Sequence, residues 1–304
     1  MRFIKSVTAG ILLFPFLSLN GADNNILKPE GADTSAVDSK KNIVLCFDLD
    51  DVISGKEKIG FTDYMGLVPR ILFTAPKIVT AVLPKNLAQI REQADEIAKT
   101  TNGTSNIMHA LIADLKKQGY GDLSSFEDAF VKRSLNPFVI KDMISNIKKL
   151  KAQGYTVIGA TNQDYKQYQV YRKKMKALSV DLDTLFQIVL TTRVNHIAAP
   201  AGDALTYRLS KDKNVYVVRD PKAYKPSVDY FKALQQLVKQ QVPDVTRIMH
   251  TDDNEENILG ARAAGLQAFH FKLANGAARK TNKSDIQKTI DAWKAEVAQQ
   301  GITF

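Results

Sequence analysis

An uninterrupted apolar run, Ile43-Val44-Leu45-Cys46-Phe47, breaks off in Asp48-Leu49-Asp50. A strand that buries both faces shows no polar alternation, so such a run between polar residues predicts a central strand of a parallel sheet. Comparable runs recur at 155–160, 186–190, 246–250 and 268–271, with helical patterns at 139–153, 165–178, 227–239 and 256–264. Gly154 and Gly265 follow two of those patterns, where glycine accepts the left-handed conformation that ends a helix. Strand and helix in repeated alternation predict an α/β fold with a doubly wound parallel sheet.

About 90 residues separate the first strand from the next helical pattern, too many for a loop, and they are rich in helix formers. They predict a helical cap over 54–136, inserted into a core made of 42–53 and 137–304. A smaller insertion is expected at 191–223, with 204–209 and 215–218 flanking a hairpin turn. The tail, 284–300, reads as an amphipathic helix carrying the only tryptophan, Trp293, as a packing residue.

At the start, Arg2 and Lys5 precede an apolar run over 7–19, and Gly21 and Ala22 follow. This is the layout of a signal peptide, 1–22, cleaved near Ala22, and predicts a periplasmic or secreted protein. Residues 23–41 are polar and aperiodic and read as a tether. No later stretch is apolar enough to span a bilayer, so no transmembrane span is expected once the signal is removed. The lone Cys46 excludes an intramolecular disulfide and, within its apolar run, reads as a buried thiol. The net charge of +10 favours anionic partners. It is spread through helical segments without interleaved aromatics, so there is no strong nucleic-acid signal.

Ligands of a parallel sheet bind at the carboxyl ends of its strands. There, Asp48 and Asp50 would repel each other unless a cation intervened, and a hard divalent ion suits such oxygens. By itself the pair also fits a solvated acidic turn. Asp252 and Asp253 end the fourth run just before a helix, a place that also fits a helix cap. Thr161 and Asn162 end the second run before another helix and suit either an anion cradle or an N-cap. Lys225-Pro226-Ser227 stands at a further helix start, where proline fixes the first turn.

In this order, at one edge of one predicted sheet, these residues resemble the haloacid dehalogenase (HAD) superfamily over about residues 43–272 outside the insertions. Residues 251–271, TDDNEENILGARAAGLQAFHF, are similar to the last motif of its phosphatase branch with a helical cap. The resemblance implies a HAD-like Rossmannoid core that binds Mg²⁺. Asp48 is implied as the nucleophile, and Asp50 as acid, then base, giving the metal its backbone carbonyl. Asp253 is implied as the direct metal ligand with Asp252 in support, or the pair reversed. Thr161 and the Asn162 backbone N–H would hold phosphate oxygens, and Lys225 would neutralise Asp48 and the transferring group. Two departures stand out: Asp51 where glycine is usual, expected to face solvent, and Val52 where threonine is frequent. The second insertion is also longer than the resemblance leads one to expect.

A departing halide needs no proton whereas an alkoxide does, and the dehalogenases lack the second aspartate, so Asp50 implies phosphate esters. The expectation is an exported, Mg²⁺-dependent phosphatase that forms an aspartyl-phosphate on Asp48. Its partner would be a phosphorylated small molecule, or a phosphoprotein or other host substrate. The alternative is a non-catalytic HAD-like protein that holds an anionic partner. Lys56, Lys58, Arg70, Arg193 and His196 are candidate substrate contacts, and His109 reads as a packing residue.

Overall fold

The computed structural model describes residues 40, 42–56, 132, 135–193, 198–208 and 212–304. The expected signal peptide, nearly all of the tether and most of the helical cap lie outside the described residues, as do Lys58, Arg70, His109 and His196.

Seven strands form the main sheet: β1 (Ile43–Phe47), β4 (Thr156–Asp164), β5 (Ile188–Thr192), β6 (Thr206–Arg208), β7 (Val215–Val218), β8 (Arg247–Asp252) and β9 (Gln267–His270). Their order is β6-β7-β5-β4-β1-β8-β9, and every pairing is parallel except β6 with β7. The chain works outward from β1 through β4, β5 and β7, then returns to lay β8 on the other side of β1. The sheet is thus doubly wound, and the crevice of the switch point opens beside the carboxyl end of β1.

The apolar run of β1 divides by alternation. Ile43, Leu45 and Phe47 join one buried cluster, and Val44 and Cys46 join the other. The first cluster is completed by helices α1 (Lys141–Ala152), α2 (Tyr165–Ala177), α3 (Leu182–Leu185) and α6 (Lys283–Ala298). The second is completed by α4 (Val228–Gln241) and α5 (Glu255–Ala263). Burial on both faces is the physical reason that the run carries no polar residue. Gly154 and Gly265 take positive φ, 95° and 87°, just past α1 and α5. No helix among the described residues is long and apolar enough to cross a membrane.

Two details differ from the sequence reading. The 191–223 segment is less an insertion than part of the main sheet, since Val215–Val218 pairs in parallel with β5 and carries β6 at its edge. Its apolar residues Val215, Val217 and Val218 are buried, which a free-standing hairpin could not provide. Earlier in the chain, β2 (Ser54–Lys56) and β3 (Pro137–Val139) pair antiparallel in a separate two-stranded sheet. That pairing brings the two ends of the intervening segment together beside the carboxyl end of β1.

Candidate active site

Parallel pairing of β1 with β8, Cys46 opposite His250 and Phe47 opposite Thr251, carries Asp48 and Asp252 to neighbouring places at one sheet edge. Between them stands the buried side chain of Lys225, its Nζ 2.8 Å from Asp48 Oδ1 and 2.6 Å from Asp252 Oδ2. A buried ammonium survives only where carboxylates compensate its lost hydration. Burial pulls the Lys225 pKa down, but Asp252 and Asp48 outweigh it and hold the group above the ordinary lysine range.

The lysine is held from behind by the strand that carries Thr161. Asn162 accepts the Lys225 backbone N–H on Oδ1 at 2.7 Å and donates Nδ2–H to the Lys225 carbonyl at 2.9 Å. Ser227 then caps α4 by accepting the Tyr230 N–H. The Tyr230 hydroxyl reaches back to the carbonyls of Thr161 and Leu190, both at 3.2 Å. These contacts tie Lys225 and the helix after it to the strand that carries Thr161.

Thr161 lies within β4, because the strand runs on to Asp164, beyond the end that its apolar residues predict. Its register with β5 slips between Ala160 and Asp164, the kind of irregularity that re-aims side chains next to a site. The helix start expected to cradle an anion there is occupied: Asp164 caps α2 through a capping box with Gln167. The Thr161 hydroxyl accepts the Gln163 N–H and keeps its own proton to donate to an anion.

Asp252 is saturated with donors. Its Oδ2 accepts from Lys225 and lies 3.1 Å from His250 Nε2, and its Oδ1 accepts from the Asn254 N–H and Asn257 Nδ2. Burial pushes this carboxyl up, but Lys225 and His250 more than offset it and hold it well below the usual range. A carboxylate can only accept, so His250 carries its proton on Nε2. Burial keeps that imidazole neutral and the Cys46 thiol protonated, so Cys46 donates to His250 Nδ1 across 3.3 Å.

Asp48 and Asp253 lack such compensation. Burial pushes Asp48 up to about 7 despite Lys225, with Asp252 and Asp50 adding to the rise. Burial, then the charges of Asp48, Asp252 and Asp51, pushes Asp253 up to about 9. Asp48, Asp252 and Asp253 offer carboxylate oxygens within 4.8 Å of one another, an acidic group that could hold a metal ion. One buried ammonium against three carboxylates leaves an excess of negative charge, and the raised acids mark where a cation would relieve it.

The Asp50 carboxylate lies outside that group and accepts from Gln163 Nε2 on both oxygens. Asp51 does not simply face solvent. It is half-buried at φ 58° and accepts the Ala278 N–H at 2.9 Å, tying the strand end to the turn Ala278–Lys280. The left-handed region favours glycine, and aspartate tolerates it better than most other residues. Arg193, at the end of β5, donates to the Arg219 carbonyl rather than toward Asp48.

His250, Asn257 and Gln163 carry parts of this network that the motif pattern does not single out. Spacing held some of the signal. His250 is two residues before Asp252 and so shares its face of the strand, and Asn257 falls one turn into the helix that follows.

No protein-family model and no curated protein matches the sequence. Among solved structures the chain is similar to a 2-haloacid dehalogenase from Pseudomonas syringae pv. tomato, with 13% identity and a TM-score of 0.45, over 82% of this chain and 98% of that one. It is also similar to a HAD family enzyme from Bacteroides thetaiotaomicron in complex with magnesium and inorganic phosphate, with 14% identity and a TM-score of 0.42, over 76% and 94%. A haloacid dehalogenase-like hydrolase from Streptococcus pneumoniae is similar at 13% identity and a TM-score of 0.36, over 82% and 91%.

Proposed function

We propose that this protein is a HAD-type phosphatase that hydrolyses phosphate monoesters through an aspartyl-phosphate on Asp48. The observation that carries the reading is Lys225, buried between Asp48 and Asp252 and clasped by the strand that bears Thr161. Phosphoryl transfer asks for an in-line nucleophile and concentrated positive charge; Asp48 is suited to be the first, and Lys225 places one fixed positive charge beside it.

Asp48 Oδ1 accepts from Lys225 and from the Leu49 N–H, whereas Oδ2 accepts no hydrogen bond among the described residues. Oδ2 is therefore the oxygen that attacks phosphorus. As the ester P–O bond breaks, Asp50 gives its proton to the departing oxygen, while Lys225 and the Thr161 hydroxyl hold the non-bridging oxygens. Water then attacks phosphorus, Asp50 takes its proton, and the bond to Asp48 breaks to release phosphate. Asp48 and Asp253 would hold Mg²⁺, with the Asp50 carbonyl, leaving Asp252 to anchor Lys225. When bound, the ion supplies the positive charge that the three carboxylates lack.

Hydrolysis of p-nitrophenyl phosphate tests the reading. Turnover is expected with Mg²⁺, is lost in EDTA, and falls by at least about a thousandfold in Asp48→Asn. Phosphate release that persists in Asp48→Asn, or halide release from a 2-haloacid in place of phosphate release, would sink it. Export is a separate proposal, resting on residues 1–22, and recovery of the protein in a cytoplasmic rather than periplasmic fraction would overturn it.

A further inference from the structure

Gln163 is buried beside Asp50, at 5% exposure, in the irregular stretch of β4. Its Nε2 lies 3.2 Å from Asp50 Oδ1 and 3.1 Å from Oδ2. In the water-consuming step Asp50 acts as a carboxylate, which accepts and does not donate, so the amide presents its nitrogen to Asp50 and leaves its oxygen for another donor. That oxygen, Oε1, is buried and accepts no hydrogen bond among the described residues. Leaving an amide acceptor without a donor is costly, and natural interiors seldom do so without a use. The backbone N–H of Gln163 is bound to Thr161 Oγ1, so the residue is built into the same stretch that would hold the phosphate.

We propose that Gln163 is a further catalytic residue, serving the water-consuming half of the reaction: Nε2–H holds Asp50, and Oε1 receives one hydrogen of the attacking water. The inference rests on the phosphatase reading and adds a residue to it. In that step the water oxygen bonds to phosphorus as the phosphorus–Asp48 bond breaks, and Asp48 leaves as a carboxylate. One water proton passes to Asp50. The other stays on the oxygen that becomes part of phosphate, directed by Oε1, and Gln163 itself exchanges no proton. A single base fixes only one of the two O–H directions of water, and a neutral acceptor beside it fixes the second. Formation of the aspartyl-phosphate makes no such demand, because the departing ester oxygen has no hydrogen to give. Loss of Gln163 should therefore divide the two half-reactions.

Rapid mixing of the purified full chain with p-nitrophenyl phosphate and Mg²⁺ reads this division, because p-nitrophenolate leaves without needing a proton from Asp50. In Gln163→Met the first equivalent of p-nitrophenolate is expected at the wild-type rate, followed by steady turnover at least about tenfold slower. Acid quenching should then trap more phosphoenzyme on Asp48 than in the wild type. Gln163→Asn keeps an amide but falls a methylene short of Asp50, and it carries the same expectation should the methionine variant not fold. If the burst and the steady rate fall together, or neither changes, Gln163 only packs and the proposal fails while the phosphatase reading stands. If the wild type itself forms no Asp48-dependent phosphoenzyme, the phosphatase reading falls and takes this inference with it.

Discussion

Each oxygen of Asp252 receives two donors, Lys225 and His250 on one and Asn254 and Asn257 on the other, while Asp253 sits among like charges. The two neighbours should therefore respond oppositely to loss of charge. Asp252→Asn leaves Lys225 buried with half its compensation and should cost about 3–5 kcal/mol in urea unfolding. Asp253→Asn relieves repulsion, so the metal-free protein should gain stability at about pH 8 and lose its response to Mg²⁺. The sign of the pH dependence follows from the raised Asp253. A carboxyl whose folded pKa is lifted to about 9 favours the fold while protonated, and that contribution drains away as pH rises through the folded value. Mg²⁺ must displace those protons at low pH and meets none at high pH. Thermal melting should show a larger Mg²⁺-induced rise in Tm at about pH 9 than at about pH 6, and an equal rise at both would refute the assignment.

At the scale of elements, α5 can approach the Lys225–Pro226 turn only because residue 260 has no side chain. A Cβ there would stand 1.9 Å from the Pro226 carbonyl oxygen and 3.2 Å from the Phe231 ring. Gly260→Ala should force the helix away, costing about 1–3 kcal/mol in denaturant titration and weakening Mg²⁺ binding, since Asp252 and Asp253 lead into that helix. Five strands of the main sheet and the long helices around it were legible in the sequence, because burial on both faces writes unbroken apolar runs. β7 was legible as a strand but not as a member of this sheet, since four residues do not reveal which edge they join. The extension of β4 was hidden because Thr161 to Asp164 are polar and fall outside the apolar run that marks the strand. The same cause divided the site. Asp48, Asp252 and Lys225 stand at strand and helix ends that the pattern marks. Asn162 and Gln163 act through a register slip that no periodicity records.

For the molecule as a whole, the two buried clusters make the sheet a wall shared by separate sets of helices, and α6 closes one side of it at the end of the chain. Trp293 on that helix donates Nε1–H to Thr251 Oγ1 at 3.1 Å and meets the rings of Phe47 and Phe304 edge-on, with centroids 5.9 and 5.1 Å away. It thus braces β1 and β8 one residue before each presents its aspartate. Trp293→Ala should cost about 3–5 kcal/mol and reduce turnover as well, whereas Trp293→Phe should retain most of the stability. Denaturant titration beside the phosphate assay separates the two effects. The same brace has an optical consequence. The chain's only indole is set behind both aspartate-bearing strands, so tryptophan-selective excitation should let its emission report cation and phosphate entering the crevice, with no label attached and no second tryptophan to subtract.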